Sequence, residues 1–202
     1  TVLYDGREVP FGPQLLFAAR QMEELVVSAE VCEDVWCPVP PSIEAAREGA
    51  VLIANCSASD ETIGKASYRR SLIEGQSARL ICGYIYANAG EGESTTDLVF
   101  GGHNVIAENG TVLEESSRFE NGVSYTEIDV RRLVSERRKN TTFRMKEEQT
   151  LLRIPFDITI EKTLLTRSIS SRPFVPQQQE ERARRCEEIL TIQAMGLKKR
   201  LA

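Results

Sequence analysis

A chain of 202 residues can bury one full core and still leave room for a second, smaller body. Its 41% hydrophobic and 27% charged residues exclude a disordered or fibrous protein, and no apolar run nears the roughly 20 residues a membrane span needs. A formal net charge of -5 argues against nonspecific binding to nucleic acid.

The chain opens on Thr1 rather than methionine, and Val2-Leu3-Tyr4 reads as the interior of a domain, as mature processing or a fragment would explain. Glu24 to Glu33 is short and valine-rich, which predicts a buried strand with Cys32 at its C-terminal end. The prolines of Trp36-Cys37-Pro38-Val39-Pro40-Pro41 forbid helix there, and Ser42 is the expected N-cap of a helix from Ile43 to Glu48, closed by Gly49. Ala50 to Asn55 is a continuous apolar run, expected to be a strand covered on both faces, with Cys56 to Asp60 as a polar loop. Leu72, Ile73 and Leu80 give helical spacing to Lys65 to Arg79, and Ile81 to Ala89 returns to strand composition.

Three more strands are predicted at Leu98 to Ala107, Thr111 to Glu115 and Val123 to Asp129, the first two joined by a tight Asn109-Gly110 turn. Val130, Leu133 and Val134 predict a helix over Asp129 to Asn140, followed by strands at Leu151 to Phe156 and Ile158 to Glu161. Residues 1–166 are taken as one domain. Arg167 to Gln179 is a serine-, proline- and glutamine-rich linker, and Glu180 to Ala202 a terminal helix with an apolar stripe of Cys186, Leu190, Ala194, Leu197 and Leu201. Strands alternating with helices and then hairpins indicate an α/β or α+β sandwich.

The basic clusters Arg131-Arg132, Arg137-Arg138-Lys139 and Lys198-Lys199-Arg200 read as solvated helix faces. Five scattered cysteines, an odd number, fit a reducing cytosol better than a disulfide framework. Asn55-Cys56-Ser57, Asn109-Gly110-Thr111 and Asn140-Thr141-Thr142 match the glycosylation pattern, but no signal peptide precedes them and the first lies in a buried strand.

Cys32 is the leading chemical candidate, because a strand end followed by a loop presents reactive groups and Glu33, Asp34 and Trp36 crowd around it. The competing reading is a small buried hydrophobe. Cys32 and Cys37 lack the second ligand pair that zinc needs, and His103 is the sole histidine, more in keeping with a structural or exposed hairpin residue than a base. Gly90-Glu91-Gly92-Glu93-Ser94 lacks the lysine of a phosphate loop, and its glutamates would repel an anion. For Ser57 and Ser59, ordinary loop roles are the default.

The segments VPFGPQLLF (9–17), AEVCEDVWCPVPPS (29–42), LIANCSASDETIGKASYRR (52–70), YIYANAGEGESTTDLVFGGHNVIAENG (84–110) and RPFVPQQQEERARRCEEIL (172–190) together resemble a glutamine-dependent NAD synthetase, in order and over most of the chain. The resemblance implies an αββα sandwich of the nitrilase type, incomplete on its N-terminal side, and a Glu-Lys-Cys triad in which Cys32 is the nucleophile. The glutamate and lysine cannot be assigned, since only 31 residues precede Cys32 and none is lysine. The resemblance further implies a backbone oxyanion donor at Glu33 and a glutamine site formed by Glu33, Trp36, Ser59 and Lys65. Lys65 stands where relatives often have arginine, so a point charge replaces a two-pronged one.

Ammonia, glutamine, deamido-NAD, ATP and magnesium are the partners the resemblance implies for a whole enzyme. The ATP and magnesium chemistry falls to a synthetase domain beyond Ala202, since no SGGxDS signature occurs here. No cofactor or metal is expected in these residues, and a homo-oligomer in the cytoplasm is. A stand-alone carbon-nitrogen hydrolase and a noncatalytic scaffold fragment are the alternatives.

Overall fold

The computed structural model describes residues 1–95, 97–162, 164–169, 171–172, 174–176 and 178–201. Residues 1–165 form one compact unit and 166–202 another. Within the first lie a two-stranded hairpin, β1 (Val2–Tyr4) with β2 (Arg7–Val9), and seven strands of one mixed sheet. These are β3 (Leu15–Ala19), β4 (Val26–Val31), β5 (Leu52–Ser57), β6 (Gly83–Asn88), β7 (Val105–Glu108), β8 (Thr111–Glu115) and β9 (Leu152–Phe156). Their spatial order is β8-β7-β6-β5-β4-β3-β9, with β4, β5 and β6 parallel at the centre.

Helices α1 (Pro41–Arg47) and α2 (Lys65–Leu80) return the chain between these central strands, as parallel pairing requires. Alternation along β4 turns Val26, Ser28 and Glu30 inward, and along β5 and β6 it turns in Ile53, Asn55, Tyr84 and Tyr86. They pack with Ala45 and Ala46 of α1 and with Ile73 and Leu80 of α2. Each fully buried aliphatic side chain in this layer contributes about 2 kcal/mol. The other sheet face is apolar but more open: Val27, Ala29 and Val31 stand beside Leu52, Ala54 and Cys56, then Ile85 and Ala87. That is the face a second sheet of a sandwich would cover; the only other sheet among the described residues is the β1–β2 hairpin.

The α/β class and most of the predicted elements stand, and several boundaries move for physical reasons. Pro40, not Ser42, precedes α1, with Pro41 in the first turn where a missing N–H costs nothing. Ser42 is buried inside the helix, its N–H donating to Glu30 (2.9 Å) and its hydroxyl accepting from Gln76 (3.0 Å). Cys56 and Ser57 belong to β5, not to the loop after it.

Of the expected 98–107 strand only the last three residues are regular, in a strand that runs Val105–Glu108, because Gly101 and Gly102 interrupt it. Residues 123–129, half-buried in the main, and 158–161, mostly exposed, form no strand and pair with neither edge of the sheet. The Asn109-Gly110 turn is present, with φ of 45° and 81°. A Cβ at Gly110 would stand 2.9 Å from that of Ala78, so glycine also lets the hairpin rest on α2.

Helix α3 (Val130–Lys139) starts at Asp129, whose carboxylate accepts the Arg132 N–H at 2.9 Å. Arg137 is not on a solvated face: it is buried, donating to the carbonyls of Ala50, Leu80 and Ile81. The second unit contains α4 (Gln179–Leu201), whose apolar stripe is exposed throughout. Ser170, Pro173 and Gln177 of the expected linker, and Ala202 of the expected helix, lie outside the described residues.

Acid stability depends on Glu48, at the end of α1. Burial alone would raise its carboxyl pKa, but the Thr150 hydroxyl, the Leu151 and Thr150 N–H groups and the Lys146 ammonium overcome this and bring it from 4.5 to about 2. A folded value below the unfolded one stabilises the native state above pH 4.5, and the contribution is lost as pH falls toward 2. Urea denaturation of Glu48→Gln against the parent is expected to show a deficit of about 3 kcal/mol at pH 7 that closes in this window. A deficit independent of pH would refute the linkage.

Candidate active site

Strand β4 ends at Val31, and Cys32 opens a short 3-10 helix, Cys32–Trp36. The Val31 N–H is taken by the Asp34 carboxylate at 2.7 Å, which fixes the turn. Cys32 itself has a φ of 49°, in the left-handed region that costs a non-glycine residue about 1–3 kcal/mol. Its surroundings hold it there. The Asn55 side chain accepts the Cys32 N–H at 3.0 Å and returns an N–H to the Cys32 carbonyl at 3.3 Å.

Asn55 is 1% exposed and its amide is fully used, taking the Ser57 hydroxyl at 2.6 Å and giving a bond to the Tyr84 oxygen at 3.2 Å. Tyr84 donates to Glu30, which also receives the Ser42 N–H. Burial and then the Glu30 carboxylate push the Tyr84 pKa upward, so the phenol stays a donor. The backbone of Cys32 therefore rests on a buried polar ladder from β4, β5, β6 and α1. Cys32 remains partly exposed above it.

The other predicted positions lie on segments around the same strand ends. Val31 pairs with Cys56, Ser57 pairs with Asn88, and Asn88 clamps the Ser59 backbone by 2.8 and 3.1 Å bonds. Glu33 is exposed on the 3-10 helix. Trp36, at its end, stacks on Tyr68 of α2 with ring centres 5.3 Å apart, and the Lys65 ammonium lies 5.8 Å from the indole. Lys65 also pairs with Asp60 at 2.5 Å, a bond that holds the Asp60 carboxyl below its ordinary pKa. Trp36 and Lys65 are thus brought together, and Ser59 adjoins them through Asp60. Ser59 is buried, its hydroxyl accepting from Arg69 at 3.3 Å.

Asn55, Tyr84 and Glu30 were not legible as site residues. The one available signal was phase: Asn55 falls on the same strand face as Ile53, so a polar group there had to be buried and bonded. It is also withheld from glycosylation by that burial. His103 is structural, at 2% exposure, between Arg69 (2.9 Å) and Glu115 (2.8 Å). Cys37 donates its thiol to the Asp34 carbonyl at 2.9 Å.

Comparison with known proteins bears on the relatives and the fold of this chain. The chain is 42% identical over 211 residues to the glutamine-dependent NAD(+) synthetase of Mycobacterium tuberculosis, with 100% of the chain matched. It is 44% identical over 202 residues to that of Mycobacterium leprae, with 95% matched. The chain is homologous to glutamine-dependent NAD synthetases. It spans 31% and 30% of the length of these two relatives. No protein-family model matches it.

A crystal structure of a glutamine-dependent NAD(+) synthetase from Cytophaga hutchinsonii superposes with a TM-score of 0.51 at 29% identity, over 62% of this chain and 20% of that one. Saccharomyces cerevisiae Nit3, of the nitrilase superfamily, superposes with a TM-score of 0.50 at 18% identity, over 58% of this chain and 42% of its own, and bears on the fold alone. The resemblance carried by the five sequence segments is therefore shown, as is the nitrilase-type fold.

Proposed function

We propose that this chain supplies the nucleophile and part of the glutamine site of a glutaminase that feeds ammonia to NAD synthesis. The observation that carries the reading is Cys32, partly exposed after a parallel central strand and held at positive φ by both ends of a buried Asn55 amide. Backbone strain persists where the surrounding structure over-determines it, and such positions cluster at active sites. Similarity along the whole of this chain to 31% of the length of a glutamine-dependent NAD(+) synthetase supports the same assignment.

In this reading the Cys32 thiolate attacks the carboxamide carbon of glutamine. The tetrahedral intermediate collapses, the nitrogen leaves as ammonia on receiving a proton, and water hydrolyses the glutamyl thioester. The Glu33 N–H is one oxyanion donor, a contact worth about 3 kcal/mol. Lys65 and Ser59 meet the substrate α-carboxylate, Glu33 faces its α-amino group, and Trp36 walls the site. The general-base glutamate and oxyanion lysine of the family pattern are not assigned to any residue of this chain. ATP, magnesium and deamido-NAD belong to a synthetase portion outside these residues.

A diazoketone analogue of glutamine, applied to the complete polypeptide and followed by peptide mass spectrometry, tests the assignment. A single adduct on Cys32, prevented by excess glutamine, is expected. Cys82 is buried and its thiol is pushed up to about 12 by desolvation, so it stays unmodified. Glutamine-protected labelling of the exposed Cys56 in place of Cys32 would overturn the assignment.

A further inference from the structure

We infer that Arg69, a side chain closed off from solvent, sets the geometry of the subsite that takes the α-carboxylate of the amide substrate. The inference rests on the roles proposed for Ser59 and Lys65 and deepens them. Arg69 lies on α2 four residues after Lys65, so both occupy one helix face. It is 0% exposed. Its Nη1 donates to Glu61 at 2.6 Å and to His103 Nδ1 at 2.9 Å, and its Nη2 donates to the Ser59 hydroxyl at 3.3 Å and the Asp60 carbonyl at 3.5 Å.

One guanidinium thereby grips three successive residues, 59, 60 and 61, of the loop after β5. Of the two groups assigned to the carboxylate, Arg69 touches Ser59 directly and reaches Lys65 through Asp60, whose side chain is the ion-pair partner of Lys65. The guanidinium is itself anchored from the far side. Arginine can only donate, so His103 Nδ1 accepts and Nε2 carries the proton given to Glu115 at 2.8 Å. Glu115 is held in turn by Arg70 at 2.9 Å. The anchor runs from β8 through His103 to Arg69, and from Arg69 to the loop.

Direct binding of the carboxylate by Arg69 is incompatible with this geometry, since it has no exposed surface and its terminal nitrogens face Ser59, Glu61 and His103. It is a positioning residue. Arg69→Lys keeps the charge but loses the fork that spans the loop and the histidine together. Misplacing a binding group by about 1 Å costs on the order of 10²-fold.

The test compares two labelling rates of Cys32 in the complete polypeptide. One reagent is the diazoketone analogue of glutamine, which carries the α-carboxylate; the other is iodoacetamide, which does not. Arg69→Lys is expected to slow the first about 10²-fold and leave the second within about twofold. Equal slowing of both reagents would show a merely structural residue, and no slowing of either would show no role at all; each overturns the inference.

Should Arg69→Lys not accumulate as folded protein, Glu61→Gln loosens the same grip while keeping its shape. It is expected to slow the analogue about tenfold, a 1.4 kcal/mol effect, and spare iodoacetamide. Ser59→Ala and Lys65→Met serve as references. If those two leave analogue labelling unchanged, the α-carboxylate reading of Ser59 and Lys65 fails and the positioning role of Arg69 with it; if they slow it while Arg69→Lys does not, the role of Arg69 alone fails.

Discussion

Cys32→Ala is expected to lower glutamine-dependent turnover of the complete polypeptide by about four orders of magnitude or more, the scale on which enzymes lose rate when a nucleophile is removed. NAD formation from free ammonia should stay within about twofold, because in the proposed function only ammonia supply passes through the thiol. The two nitrogen sources measured side by side separate lost chemistry from lost structure. The substitution leaves the Asn55 grip intact, since Asn55 binds the backbone of residue 32 and not its sulfur. Retention of glutamine-dependent synthesis by the alanine variant would refute the nucleophile assignment. Amide hydrolysis by the parent with no synthesis from either nitrogen source would favour a stand-alone carbon-nitrogen hydrolase.

What made the fold readable was short apolar runs in the central strands, although Leu52 to Ser57, expected to be covered on both faces, has one face only partly buried. Val26 to Val31 and Leu52 to Ser57 follow the two-residue alternation of strands with one well-buried face, and the apolar runs bounded by polar loops located them to within about two residues. Thr111–Glu115 was found because Asn-Gly fixes where a hairpin must turn. Residues 123–129 and 158–161 share that strand-like composition and form none. Composition sets what a segment tolerates, whereas pairing depends on where the rest of the fold places that segment relative to the open edges at β8 and β9.

The site divides in the same way. Cys32, Trp36 and Lys65 stand out as residue types beside turn signals. Asn55, Tyr84 and Arg69 look like ordinary strand and helix residues, and their importance comes from what lies across the sheet. Asn55 meets Cys32 from 23 positions away and Arg69 meets His103 from 34. No local pattern encodes such a pairing. Burial of a polar group is the physical signal, and it appears only once the chain is folded.

Arg137 shows the converse, a residue that looked like surface and is expected to carry a large share of stability. Its Nε donates to the Leu80 and Ile81 carbonyls at 3.1 Å each, and its Nη2 to those of Ala50 and Leu80 at 2.7 and 2.9 Å. The guanidinium centre lies 4.8 Å from the Phe143 ring. These carbonyls immediately precede β5 and β6, where the chain enters the sheet, so one side chain joins two strand starts to α3. Burial lowers the Arg137 pKa to about 10, which still leaves it a cation at neutral pH.

Arg137→Met fills similar volume but leaves three buried acceptors without this donor. At about 1 kcal/mol or more for each, the loss is about 3 kcal/mol, or a Tm lower by about 6–12 °C in a chain of this size. Arg138→Ala, next in sequence but exposed, is expected to change stability by less than about 0.5 kcal/mol. Cys32 follows the C-terminal end of β4, and Arg137 holds the opposite ends of the parallel neighbours. Folded Arg137→Met should therefore react with the glutamine analogue at the parent rate below its melting transition. Equal melting temperatures for Arg137→Met and Arg138→Ala would show that the four bonds add nothing over solvation of those carbonyls. A slowed labelling rate in the folded variant would show that the two ends of the sheet are coupled.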